Sequence, residues 1–236
     1  IYCRSKKDVH LSKTLSWLLR HGASSEGLDP EGYISLNKLI QHPNIRGKYV
    51  IEDIKRVVAQ DSKKRYKLRY NVNGGLLEIK ATNGHSIPTV TDVGLTPITT
   101  VCPKYNTVVH GTNIKCWEYI RRDGLCRMSR NHIHFAKGVS NKDHVISGIR
   151  SDAAVHIYVD MKKALADGIK FFESENGVIL SRGNDRGFLE PQYFIKVIHI
   201  TTGMLLYLYS CICLKCVYFM QLDVFVLGYD NIYNIT

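Results

Sequence analysis

Tyr66-Lys67-Leu68-Arg69-Tyr70-Asn71-Val72-Asn73-Gly74-Gly75-Leu76-Leu77-Glu78-Ile79 is the stretch that decides how the first part of the chain is built. Tyr66, Leu68 and Tyr70 alternate with polar residues, Asn71 to Gly75 supply turn chemistry that includes an Asn73-Gly74 step, and Leu77 and Ile79 resume the alternation. A period of two on both sides of such a turn predicts a β-hairpin. Upstream, helical spacing recurs three times. Val50, Ile51, Ile54, Val57 and Val58 form one stripe, with Glu52 and Asp53 in a first turn where the helix dipole favours acids. Leu36, Leu39 and Ile40 form a shorter one, which Ser35 would cap and Pro43 would stop. Leu11, Leu15, Leu18 and Leu19 form the earliest, with Asp8 available as N-cap and Gly22 placed to end the helix. Three helices and a hairpin predict a winged helix, assigned to residues 1–95.

Downstream, Pro88, Gly94, Pro97 and Pro103 lie among Thr and Val and read as an extended connection holding the domain boundary. Beyond it, strands are predicted at Thr107 to Val109, Ile133 to Phe135, Ala154 to Val159, Ile169 to Phe172, Gly177 to Leu180 and Tyr193 to Val197. Trp117, Ile120 and Arg121 mark a helix ending near Gly124, and Met161 to Ala166 a brief helical turn. Residues 96–198 therefore form a second, strand-rich domain, and the fold class is α+β.

The chain of 236 residues carries 32 Lys and Arg against 21 Asp and Glu, a formal charge of +11 that makes nucleic acid the leading partner. Seven cysteines, among them Cys3, Cys102, Cys116 and Cys126, form no even framework, so a reducing, intracellular compartment is expected, cytoplasm or nucleus. Cys211, Cys213 and Cys216 cluster without the second Cys/His pair that a tetrahedral zinc site needs. A start at Ile1 leaves targeting unread from that end. Residues 199–236 are set apart as an atypical apolar extension. Met204 to Gly228 is strongly apolar but interrupted by Lys215 and Asp223, and a charge near the centre of a spanning helix would cost roughly 2.5–3.5 kcal/mol. An atypical terminus or non-native extension ranks first, an extra buried hairpin second and a membrane anchor last.

Four basic clusters carry the chemistry: Leu19-Arg20-His21-Gly22, Lys63-Lys64-Arg65-Tyr66, His110-Gly111-Thr112, and Met128-Ser129-Arg130-Asn131-His132-Ile133-His134. Arginine presents a fork of donors that matches phosphate in two bonds, and histidine adds a donor or carries a proton near neutral pH. Each has a plainer reading. Arg20 and His21 complement the negative end of a helix by roughly 0.3–1 kcal/mol, and Val109-His110-Gly111-Thr112 is also a strand-to-helix turn with Thr112 as cap. His132 and His134 can be ordinary half-buried packing, and Arg150 a structural ion pair. No Gly-x-Gly-x-x-Gly follows a strand and no Walker motif is present, so any dinucleotide needs another cradle.

Longer runs join these clusters in order over residues 8 to 197. They include Asp29-Pro30-Glu31-Gly32-Tyr33, Gly84-His85-Ser86, His132-Ile133-His134-Phe135-Ala136, Ser147-Gly148-Ile149-Arg150, Asp167-Gly168-Ile169-Lys170-Phe171-Phe172 and Ser174-Glu175-Asn176-Gly177-Val178. Together they resemble the RNA 2'-phosphotransferase family. The resemblance implies a winged-helix N-terminal lobe joined to an ADP-ribosyltransferase-like α+β lobe, with RNA and NAD meeting in the cleft, and no metal. The family's Arg, His, Arg, Arg tetrad falls on Arg20, His21, Arg65 and Arg130. NAD contacts are expected from His110, Gly111, Thr112, His134 and Arg150, and RNA contacts from Lys64, His85 and Ser86. Lys80 and Asn83 stand where the family usually has arginine and glutamine; lysine keeps the charge but loses the fork.

The implied reaction removes an internal 2'-phosphate from spliced tRNA. The phosphate attacks the anomeric carbon of the nicotinamide ribose, giving RNA 2'-phospho-ADP-ribose. The ribose 2''-hydroxyl then attacks the phosphorus, yielding 2'-hydroxyl RNA and ADP-ribose 1'',2''-cyclic phosphate. Such steps need positioning and electrostatic stabilisation, which arginines supply, and one group able to move a proton, the role assigned to His21. RNA is the partner, with no obligate protein partner and no membrane expected. Two alternatives stay open: a nucleic-acid or protein ADP-ribosyltransferase that stops after the first step, and a non-catalytic winged-helix RNA-binding protein.

Overall fold

The structure is a computed structural model that describes residues 5–22, 27–71, 74–92, 94–139, 148–149 and 152–208. Arg150, Asn73 and the tail from 209 onward, with its three cysteines, lie outside the described residues.

Helix α1 (Lys6–Trp17) starts at Ser5, whose hydroxyl accepts from the Asp8 backbone N–H at 3.0 Å. The cap is thus Ser5, not Asp8: a hydroxyl three residues ahead meets the orphan amide, and the Asp8 carboxylate instead accepts from Arg56 Nη2 at 2.8 Å. Leu11, Leu15, Leu18 and Leu19 are fully buried, each contributing roughly 1.5–3 kcal/mol. Past Trp17 the helix widens into a π turn, Leu18–Gly22, which carries Arg20 and His21. Strand β1 (Ile34–Ser35) leads into α2 (Leu36–Leu39); Ser35 takes the N-cap position but its side chain bonds no helix N–H. In α3 (Ile51–Ala59), Ile54 and Val57 are buried, whereas Val50 lies outside the helix and is exposed. Strands β2 (Tyr66–Tyr70) and β3 (Leu77–Ala81) form the expected hairpin, Tyr66 opposite Ala81 and Tyr70 opposite Leu77, and β1 joins the far side of β3. The leucines of α1 close a core with Leu36, Ile54, Tyr66 and Ile79.

A second core lies on one eight-stranded antiparallel sheet, ordered β13-β12-β8-β5-β7-β10-β9-β4. Its members are β4 (Thr96–Ile98), β5 (Val108–Thr112), β7 (Ile133–Lys137), β8 (Val155–Val159), β9 (Phe171–Glu173), β10 (Ile179–Ser181), β12 (Phe194–His199) and β13 (Leu205–Leu208). A small pair, β6 (Leu125–Cys126) with β11 (Phe188–Leu189), and helices α4 (Ile114–Asp123) and α5 (Met161–Ala166) complete it. The mixture of helix and sheet is α+β. Several short strands were not expected, two of them in the large sheet. Thr96–Ile98, read as part of a connection, is an edge strand on β9, where Pro97, with no N–H to give, is tolerated. Leu205–Leu208, inside the span read as an extension, pairs with β12, and Tyr207 packs edge-on to Trp117 at 6.3 Å.

The two cores are tied by polar contacts. Lys80 Nζ lies 2.9 Å from Glu175 Oε1, and Lys67 Nζ 2.7 Å from Glu175 Oε2. Asn83 donates to Asn176 Oδ1 at 2.7 Å, the Asn131 backbone N–H donates to His85 O at 2.8 Å, and Asp92 holds both His132 and Arg182. Among the described residues no helix is long and apolar enough to cross a membrane, and no group of three or more His, Cys, Asp or Glu is placed to hold a metal ion.

Candidate active site

Between the cores lies a cleft of about 800 Å³. Arg20, Arg65 and Gly84 line it from the first, and His110, Arg130 and His134 from the second.

Arg20 reaches the cleft because the π turn carries it past the end of α1. Its Nε is buried without a hydrogen-bond partner, and its pKa is lowered by burial and by the neighbouring Arg130 and Arg65. Arginine keeps its proton regardless. Guanidinium groups gathered around an unsatisfied donor therefore make a site that an anion would stabilise.

Arg65 is fixed by Asp61, which accepts from its backbone N–H at 2.6 Å and from Nη1 at 2.5 Å. Lys64, just before it, has φ of +46°, and Met128, two residues before Arg130, has +57°. These are the two non-glycine left-handed residues among those described. Such conformations cost about 1–3 kcal/mol each and persist where surrounding structure imposes them; here both aim an arginine. The Arg130 segment is closed by Arg127 Nη1 donating to Arg130 O at 2.7 Å.

His21 does not line this cleft. It sits in an adjoining groove along α1 that shares Arg20 and Arg65 as walls. Its Nδ1 is 2.8 Å from Ser86 Oγ, and the Ser86 N–H donates to Arg20 O at 2.9 Å. Burial, then Arg130 and Arg20, lower the His21 pKa. Ser86, expected to touch RNA, is here the partner of His21.

His85, the other expected RNA contact, turns inward. Burial and then Arg20 push its pKa down to about 4, its Nε2 is buried without a partner, and a β-carbon on Gly32 would stand 3.0 Å from that atom. Lys63, not Lys64, lines the cleft. Lys80 faces the contact between the cores: its side chain is 6% exposed and its Nζ lies 2.9 Å from Glu175 Oε1.

On the opposite wall, His110 Nδ1 bonds His134 O at 2.8 Å. His134 is half-buried, its Nε2 is shielded from solvent without a partner, and desolvation, then Arg130 and Arg20, hold its pKa well below the ordinary value. A neutral imidazole nitrogen can donate to, or accept from, a ribose hydroxyl or an amide. Gly111 is needed for a reason other than ligand approach: a β-carbon there would meet Ile149 Cγ2 at 2.6 Å. Thr112 lies in β5 opposite Val155 and also lines the cleft; the cap of α4 is Asn113, which accepts from Cys116 N at 2.8 Å. Asp61, Lys63, Asn83 and Ile149 were not singled out as site residues. For Asp61 a signal existed, an acid four residues before Arg65; Lys63 stood in a basic cluster beside Arg65, and Asn83 and Ile149 in stretches that carry the resemblance.

Chemically this cleft of an α+β protein suits an anion: the guanidinium groups of Arg20, Arg65, Arg127 and Arg130 and the imidazoles of His110 and His134 line one space. Comparison with known proteins makes that specific. The profile of the family described as "RNA 2'-phosphotransferase, Tpt1 / KptA family" matches residues 6–183. The chain is 44% identical over 193 residues to tRNA 2'-phosphotransferase 1 of Danio rerio, covering 80% of this chain and 85% of that protein. It is 42% identical over 196 residues to tRNA 2'-phosphotransferase 1 of Homo sapiens, 82% and 77% covered. With tRNA 2'-phosphotransferase of Saccharomyces cerevisiae the identity is 38% over 185 residues, 75% and 80% covered. The chain belongs to the RNA 2'-phosphotransferase, Tpt1/KptA family of enzymes.

Proposed function

We propose that this protein removes an internal 2'-phosphate from spliced tRNA, with NAD as acceptor, in the cytoplasm or nucleus. The convergence of Arg20, Arg65 and Arg130 on one cleft, with His21 beside them, is the observation that carries the reading. On this reading the first core is a winged-helix lobe that receives RNA and the second an ADP-ribosyltransferase-like lobe that receives NAD.

Arg65, locked by Asp61, and Arg20, with its unsatisfied Nε, bind the phosphate oxygens. Arg130 approaches from the opposite core and compensates charge as it shifts among those oxygens. When the Ser86 hydroxyl hydrogen is turned to Arg20 O, 3.4 Å away, His21 Nδ1 carries the proton and Nε2 is left as the acceptor. His21 then takes a proton from a hydroxyl attacking the phosphorus. The residues of this wall fit a dinucleotide: His134 Nε2 lacks a partner, and Thr112 and His110 face the same space. NAD supplies the ADP-ribosyl group to which the phosphate is transferred. His134 and His110 orient its ribose or amide.

The test is incubation of the protein with a short RNA bearing one internal 2'-phosphate, with and without NAD, beside Arg65→Ala. NAD-dependent loss of the phosphate, abolished by the substitution, is the expected result. RNA that binds and stays phosphorylated, with no nicotinamide released, overturns it. A stable ADP-ribosyl adduct would mean that the reaction stops at transfer.

A further inference from the structure

Val9, Lys13, Ser16, Trp17 and Arg20 recur at helical intervals along α1 and its π turn, opposite the leucines that enter the core. Beside this stripe runs the open groove of about 420 Å³ that holds His21. Lys13, Arg20, His21 and Arg65 are among its lining residues, and none of them is a carboxylate. Its floor is fixed by the Tyr66 hydroxyl, 3.1 Å from Ser12 Oγ and 2.6 Å from Ser16 Oγ.

Trp17 is the unusual member. It is 52% exposed, a large apolar surface left in water. Its ring lies against the turn: a β-carbon on Gly22 would fall 2.2 Å from Trp17 Cζ3, so glycine there leaves room for the indole. An aromatic ring at the surface among cations is what stacks a nucleobase, since every base offers a π face whatever its sequence. Arg20 and Arg65 line the groove and the main cleft alike. A polyanion anchored at those guanidinium groups would pass from one into the other.

We propose that the groove along α1 binds the single-stranded RNA flanking the 2'-phosphate, a base stacking on Trp17 and a backbone phosphate meeting Lys13. This rests on the reading of the substrate as RNA. It implies that the enzyme grips its substrate through nucleotides beyond the phosphorylated one, without regard to which bases they are.

The experiment needs no NAD and no 2'-phosphate, so it is independent of turnover. The chain has two tryptophans, and the other, Trp117, is 4% exposed, so quenching by RNA reads Trp17. Titration of the wild-type chain with an unmodified single-stranded RNA octamer is expected to quench that emission. By anisotropy of a labelled octamer, Trp17→Ala should bind about tenfold more weakly and Trp17→Phe close to wild type. Lys13→Ala should flatten the dependence of log K on log salt by roughly 0.7. No binding by the wild-type chain, unaltered Trp17 emission in the bound state, or undiminished affinity of Trp17→Ala overturns the proposal. Quenching without removal of a 2'-phosphate would leave this groove standing and sink the proposed activity; removal without quenching would do the reverse.

Discussion

The Arg20 side chain crosses the backbone at Gly84 so closely that a β-carbon there would stand 3.1 Å from Arg20 Nε. Gly84 also has φ of +88°, a conformation that L residues rarely adopt. Gly84→Ala should therefore do two things. Backbone strain should lower stability by about 1–2 kcal/mol, and the displaced guanidinium should lower removal of the 2'-phosphate by more than tenfold. Thermal unfolding and single-turnover assays of the same variant check both, and wild-type turnover would refute the placement of Arg20.

Asp61 is buried, accepting from both the backbone and the side chain of Arg65. Asp61→Ala leaves that N–H without its acceptor, at a cost of about 1–3 kcal/mol, and frees Arg65 to leave the cleft. The expected signature in urea unfolding and steady-state kinetics is a moderate loss of stability with a larger loss of kcat/KM. A stability loss alone would show that Arg65 needs no orienting partner.

His21 has its pKa lowered by burial first, then by Arg130 and Arg20. A cation that is disfavoured releases its proton at lower pH, so the imidazole is neutral at pH 7. Titration by NMR should give a midpoint below 6.5 in the wild-type chain and a higher one in Arg130→Gln. If the Arg130 substitution leaves the midpoint in place, the two groups do not share a field.

His85 has a pKa of about 4 in the folded chain, against an ordinary value of 6.5, mainly through burial. Between those values the unfolded state binds the extra proton. Its contribution is complete above pH 6.5 and declines as pH falls toward 4, by an amount on the order of 3 kcal/mol. His85→Gln should flatten stability against pH across that window in urea titrations. An unchanged slope would mean that His85 is not the group responsible.

Lys80 and Glu175 join the two cores at 2.9 Å. Glu175→Gln removes the nearer carboxylate from the buried Lys80 ammonium, leaving Glu31 at 3.7 Å and the Tyr33 ring at 4.8 Å, at a cost of about 2–3 kcal/mol. Lys80→Met should cost less, because Glu175 keeps Lys67 at 2.7 Å. Denaturant unfolding of the two variants decides the order, and the reverse ranking would contradict it.

Local pattern was legible where the physics is local. The alternation from Tyr66 to Ile79, the leucines of α1 and most strands of the second core could be read because period and turn chemistry act over a few residues. The sequence did less well where partners are remote. Pro97 argued for a connection until a free sheet edge was available to take it. His85 and Ser86 are adjacent and chemically alike as donors, yet packing turns one into the interior and the other onto His21.

The sequence by itself determined the family, because its runs of residues preserve chemistry in order, and it determined the helices and strands on which that chemistry rides. Only the tertiary structure decided which side chains share a space. Arg20, Arg65 and Arg130 meet because a π turn, a left-handed lysine and the apposition of two cores bring them together. Lys80 is withdrawn by Glu175, and His21 stands in a groove beside the cleft. Convergence of distant residues depends on how cores pack, and the energies that settle it are sums over contacts that no local period encodes.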